Sequence, residues 1–147
     1  MKLLSLLFLS IILGKGCEGD AQQDITKAKI EYVANTRGFY RKIIVENQEA
    51  TITTERNSKE KPVVTKITDE DWGILAKAFE ELNLEELKDL KSPTEKRLYD
   101  GAAIAHLKVT YKGYDYESSA FDHGIPPYEI KKIVNKINSF VKQNDEY

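Results

Sequence analysis

The chain has 147 residues, of which 41% are hydrophobic and 31% charged. That balance supports one folded domain with its own core and excludes a disordered chain. With a formal net charge of −2, nothing points to a nucleic-acid partner, which favours a strongly basic patch.

The first 17 residues differ in kind from the rest. Lys2 is a short positive region, and Leu3–Gly14 (LLSLLFLSIILG) is an unbroken apolar run apart from two serines. At ~1.5 Å per residue the run is roughly 18 Å long, well short of the ~30 Å hydrocarbon core of a bilayer. A buried core helix is the competing reading. The run has no polar face and sits at the terminus, so a secretory signal over residues 1–16 fits better. Gly14-Lys15-Gly16-Cys17 then places small residues ahead of the single cysteine.

This junction resembles the lipobox of bacterial lipoproteins, with Leu13 one place earlier than in the commonest pattern and Lys15 between the glycines. The resemblance implies cleavage before Cys17, a diacylglyceryl group on its sulfur, and acylation (palmitate, for example) of the new amino terminus. It implies a membrane partner reached through that lipid, and a place in the bacterial cell envelope facing the periplasm or the exterior. A secreted chain with a free thiol is the alternative, since one cysteine allows no intrachain disulfide. Processing there removes Lys2 and Lys15, leaving 20 cationic side chains against 24 acidic ones, a side-chain charge of −4. Residues 17–27 then read as the lipidated cysteine and a polar tether, which contains Glu18-Gly19-Asp20. An acidic tether does not cling to anionic headgroups, so the acyl chains supply the membrane affinity. Residues 28–143 read as a single domain and 144–147 as a tail.

Within the domain, Ala28–Ala34 alternates with Ile30, Tyr32 and Ala34 on one face, the period-two signature of a strand. Asn35-Thr36-Arg37-Gly38 is a turn cluster. Phe39–Glu46 is a second strand with Ile43 and Val45 inward; Ile44 interrupts its alternation, as in a strand buried on both sides or locally bulged. Asn47-Gln48 turns into a third strand, Ala50–Arg56. Short connections make antiparallel pairing the default. Asn57–Lys61 is a charged loop, and Pro62–Ile67 a short edge strand whose start Pro62 protects.

Thr68, followed by Asp69, Glu70 and Asp71, predicts a capped helix with acids at its positive end. Trp72, Leu75, Ala76, Phe79 and Leu82 follow at helical spacing, and Asn83 predicts a second cap for a short helix ending at Ser92-Pro93. Thr94–Tyr99 reads as a loop. From Ala103 to Tyr111 strict alternation returns, and Lys112-Gly113 is a two-residue hairpin turn. That loop length puts Tyr111 opposite Tyr114, Val109 opposite Tyr116, Lys108 opposite Glu117, His106 opposite Ser119 and Ala105 opposite Ala120. Pro127 is placed to open a last helix, with Ile130, Ile133, Val134, Ile137, Phe140 and Val141 on one stripe. A partner-binding helix is the rival reading of that stripe, but a sheet needs a cover for its apolar face. The expected fold is α+β: an antiparallel sheet of four to five strands with helices packed on one face, in the order β-β-β-(β)-α-α-β-β-α.

Two groups of residues are candidates for function. Arg37, Phe39, Tyr40 and Arg41 put two arginines and two aromatics around one turn, the composition of a binding hot spot. Asp100, Asp122 and His123 flank the hairpin at what the register makes one end, and could join a carboxylate to an imidazole as an acid–base pair or a weak metal site. Asp-His-Gly before Pro-Pro serves equally well as turn chemistry. No nucleophile elbow, phosphate loop or dinucleotide fingerprint occurs, so neither a cofactor nor an enzyme is expected.

From about Lys29 to Val141 the layout resembles emfourin-like inhibitors of thermolysin-type metalloproteases. The shared points are the turn Arg37-Gly38-Phe39, a helix ending in Leu82-Asn83-Leu84, a tyrosine-bearing hairpin and a proline before the last helix. Arg37 stands where a second small residue is expected. The resemblance implies a loop, Asn35–Phe39, that docks into a partner's cleft. Two readings follow. In one, a membrane-anchored lipoprotein binds an envelope or extracellular protein, with a protease inhibitor as its sharper version. In the other, a metal-dependent binding protein or hydrolase uses Asp100, Asp122 and His123.

Overall fold

The computed structural model describes residues 23–57 and 59–144. The expected signal, Cys17, most of the tether, Ser58 and the last three residues lie outside the described residues.

Alternation decides which side of each strand is buried. In β1 (Ala28–Thr36) the core side carries Ala28, Ile30, Tyr32 and Ala34, all buried. β1 pairs antiparallel with β2 (Phe39–Glu46) on one flank and with β5 (Ile104–Tyr111) on the other. β3 (Glu49–Thr53) and β4 (Val63–Lys66) extend the sheet beyond β2, and β6 (Tyr114–Glu117) extends it beyond β5. A two-residue strand, β7 (Phe121–Asp122), pairs with the start of β5. The fold is thus α+β with a seven-stranded antiparallel sheet, larger than the four to five strands expected.

Two helices complete the core. α1 (Asp69–Glu80) opens as its residues dictate: Thr68 Oγ1 accepts the Asp71 N–H at 3.2 Å, and three acids fill the first turn. It buries Leu75, Ala78 and Phe79. α2 (Lys131–Asn144) buries Ile133, Val134, Ile137, Phe140 and Val141, the expected stripe. These residues and the inward residues of the sheet form one hydrophobic cluster, in which each fully buried Ile or Phe contributes roughly 1.5–3 kcal/mol. On the surface Lys132 reaches Glu81 at 3.0 Å and Lys136 pairs with Asp71, tying α2 to α1.

Several expectations need correction. β2 runs in unbroken register, with Ile44 opposite Glu31 and Thr51, so no bulge explains that half-buried isoleucine. Asn83 makes no side-chain cap, and Leu84–Asp89 is a 3-10 helix that buries Leu84 and Leu87. Lys96–Tyr99 is a short 3-10 turn rather than a plain loop. Pro127 stands just before the first helical position: it precedes a single 3-10 turn, Tyr128–Ile130, which leads into α2.

The hairpin holds its expected register from Tyr111–Tyr114 to Lys108–Glu117, then slips by one. Ala105 faces Phe121 rather than Ala120, and β6 ends before it can place Ser119 opposite His106. The slip is a bulge at residues 118–120. Ser118 N–H donates to Leu107 O at 2.8 Å, and Ser118 Oγ accepts the Leu107 N–H at 2.9 Å, in place of a strand carbonyl. Ser119 turns outward and donates through its hydroxyl to Leu90 O. The extra residue rotates Phe121 into the core, where it is fully buried.

Packed residues extend ahead of the expected Ala28, to Gln23 among the described residues. Asp24 caps a 3-10 turn over Ile25–Lys27, and Ile25 is buried. The Asp24 N–H donates to the Tyr111 hydroxyl at 3.0 Å, and the Gln23 amide donates to Leu82 O. The chain therefore enters the domain beside the β5–β6 turn. The β1–β2 turn lies at the other end of β1, because Ala28 pairs with Tyr111 while Thr36 pairs with Phe39.

Candidate functional site

At that far end, β2, the segment after β7 and α2 bring polar side chains to a cleft of about 340 Å³. Register explains the meeting. Phe39 and Arg41 are two apart on β2 and share its core side, next to Thr36 and Ala34 of β1. Ala34 pairs in turn with Ala105, and both are fully buried. These small side chains leave room for rings. His123 fills part of that room: its backbone N–H donates to Ala103 O at 2.9 Å, and its ring lies 4.9 Å from that of Phe39.

The His123 ring is fixed by a buried phenol. Tyr32 Oη and His123 Nδ1 are 2.7 Å apart. Burial pushes the Tyr32 hydroxyl well above its ordinary pKa, against opposing influences of Asn138 and Arg41, so the phenol stays protonated. Burial first, and then the Arg41 charge, lower the pKa of His123, so its imidazole is neutral at neutral pH. Where Tyr32 donates, the ring proton sits on Nε2; where Nδ1–H donates to the phenol oxygen, Nε2 is an acceptor. Arg41 lies with its guanidinium carbon 5.2 Å from the Phe39 ring centre, and its Nη1 donates to Asn138 Oδ1 at 3.2 Å. Asn138 Nδ2 donates to Val134 O at 3.0 Å, which orients the amide. Asn135 and Ser139 line the rest of the cleft.

The four residues around the first turn do not form one patch. Arg41 lines the cleft and Phe39 packs on the same side against Arg41 and His123, Tyr40 points to the other side of the sheet with Arg56 6.0 Å from its ring centre, and Arg37 is exposed at the tip. Nor do Asp100, Asp122 and His123 converge. Asp122 is fully buried and acts as a cap for the turn at Lys96. Its carboxylate accepts the N–H groups of Lys96 at 2.8 Å and Arg97 at 3.0 Å, the Thr94 hydroxyl, and Arg97 Nη1 at 3.1 Å. Burial alone pushes this carboxyl up, but the four bonds outweigh it and hold the pKa down at about 2. Asp100 is exposed, in the left-handed region at φ 58°. Among the described residues no group of three or more His, Cys, Asp and Glu is placed to hold a metal ion. His106 lies on the outer side of the sheet, with Nδ1 3.7 Å from Glu117.

Sequence reasoning thus named Phe39, Arg41 and His123 but in two separate groups, and missed Tyr32 and Asn138. One signal for Asn138 was present. It follows Val134 by four and precedes Val141 by three, so a polar residue interrupts the apolar stripe where a partner is required. Among the described residues no helix is long and apolar enough to cross a membrane. Comparison with protein-family models, with curated proteins and with solved structures returned no match.

Proposed function

We propose that this chain is a lipid-anchored protein of a bacterial cell envelope whose domain acts by binding another protein. Cys17 carries the lipid, and the end of the sheet that bears Arg37, Phe39 and Arg41 makes the contact. One observation carries this reading: the chain enters the body beside Tyr111, whereas those residues lie at the opposite end of β1. β1 has nine residues, so the two ends are separated by roughly 25 Å at ~3.3 Å per residue. Only residues 18–22 lie between Cys17 and Gln23, a reach of at most roughly 20 Å. An anchor on so short a lead holds the hairpin end near the bilayer and presents the arginine–aromatic end to the surroundings. The sharper version is a protease inhibitor that inserts the turn at Arg37 into a metalloprotease cleft.

The test has two parts. The intact mass of the chain made in a bacterium with its own N-terminus is compared with that of Cys17→Ala. A diacylglyceryl increment present only with Cys17 supports the anchor, and an uncut, unmodified chain overturns it. Inhibition of a thermolysin-type protease, lost on Arg37→Glu, supports the inhibitor. Its absence removes that version and leaves the anchor to the mass measurement.

A further inference from the structure

We propose that the cleft between Arg41, His123 and α2 is a binding site for a single carboxylate group. The inference rests on the cleft alone and stands whether or not Cys17 is lipidated. Arg41 is half-buried, and among the described residues no carboxylate pairs with it. A guanidinium drawn out of water without a counter-charge is costly. Its Nε is cut off from solvent and has no acceptor, whereas buried donors are almost always satisfied. Nη1 is engaged by Asn138. Neither Nε nor Nη2 has an acceptor among the described residues, and that edge grips a carboxylate side-on through two parallel N–H bonds once the side chain turns it into the cleft.

The neighbours of Arg41 fit the same ligand. His123 has its Nδ1 taken by Tyr32, and in the tautomer in which Tyr32 donates it offers an Nε2–H. Asn135 lines the cleft with an amide that has no partner among the described residues. Neither Asp nor Glu lines it. The site therefore carries one permanent positive charge beside a neutral imidazole, which one carboxylate balances and a phosphate dianion over-fills. A volume of about 340 Å³ admits the carboxylate together with the chain that bears it. That chain is either a free organic acid or the end of a polypeptide.

Nuclear magnetic resonance of the folded protein gives the test, because a buried arginine Nε–H is observed directly. The probes are acetate, N-acetylglycine as a mimic of a polypeptide end, inorganic phosphate, and chloride at matched ionic strength. The expected result is a saturable shift of the Arg41 Nε–H with acetate, in the millimolar range, together with a rise in the pKa of His123 as the anion favours imidazolium. Tighter binding of N-acetylglycine than of acetate assigns the polypeptide source, and equal binding assigns the free acid. Arg41→Gln is expected to weaken the response by at least about tenfold, with amide spectra checking its fold, while Lys108→Gln on the outer side of the sheet leaves it intact. Asn138→Asp, which sets a carboxylate beside Arg41, is expected to fold and to lose the acetate response. No saturable shift, an equal shift with chloride, or a response to phosphate in preference to acetate overturns the proposal.

Discussion

Asp122 and His123 follow one another in the chain and are recruited to different tasks. Asp122 holds the turn at Lys96–Arg97 with four hydrogen bonds, and His123 joins Tyr32 and Phe39 at the cleft. Replacing Asp122 with Ala leaves a buried guanidinium side and two backbone donors unmatched, so a loss of about 3–5 kcal/mol is expected in urea unfolding. The carboxyl has its pKa lowered from 3.8 to about 2 in the folded chain, so the unfolded chain binds the proton more readily. Its stabilisation is therefore complete above about pH 4 and is lost as pH falls through 3.8 towards 2. Asp122→Asn is expected to remove that part of the acid dependence; an unchanged acid limb would contradict the capping role. The residue types alone did not separate these tasks, because a cap and a metal ligand call for the same carboxylate. What separates them is the segment from Thr94 to Arg97, 28 to 25 positions away in sequence.

At the scale of elements, strands and helices with clear periodicity were legible. The stripe from Ile130 to Val141, the alternation from Ala103 to Tyr111 and the cap at Thr68 were all found where local chemistry puts them. The hairpin register was legible near its turn, where Lys112 and Gly113 both take positive φ. The bulge was not, because nothing local distinguishes Ser118-Ser119 in a ladder from the same pair in a bulge. The reward lies elsewhere, in the burial of Phe121 and the tie from Ser119 to Leu90. The short helix expected after Asn83 forms as a 3-10 helix without the side-chain cap, for a related reason. A six-residue segment gains little from helix propensity, and the need to bury Leu84 and Leu87 sets its shape. Ser118→Ala leaves the buried Leu107 N–H without its acceptor, and a loss of about 1–3 kcal/mol is expected. Ser118→Thr, which keeps the hydroxyl, is expected to restore part of it. Equal stability of the Ala variant in thermal unfolding would contradict the bulge as the anchor of this edge.

At the scale of the whole molecule, the topology gives the domain two unlike ends. Pairing β1 with β5 puts the incoming chain, Tyr111 and the exposed Tyr114 at one end. The same pairing puts Arg37, Phe39, Arg41 and His123 at the other. Sequence alone suggested both an anchor and an arginine–aromatic turn but not their opposition, since that depends on which strand returns to lie beside β1. The two outer strands, β4 and β6, carry Lys66 and the acids Asp115 and Glu117, charges that discourage edge-to-edge pairing. The most direct measurement is depth in a bilayer. Cys17 is the sole native cysteine, so a lipidated chain bearing Arg37→Cys or Tyr114→Cys has one free thiol for a fluorescent label. In vesicles with quencher-bearing lipids, the label at Tyr114 is expected to be quenched and the label at Arg37 to remain bright. Quenching at Arg37 equal to or stronger than at Tyr114, in a chain whose mass carries the lipid, would contradict an outward-facing cleft.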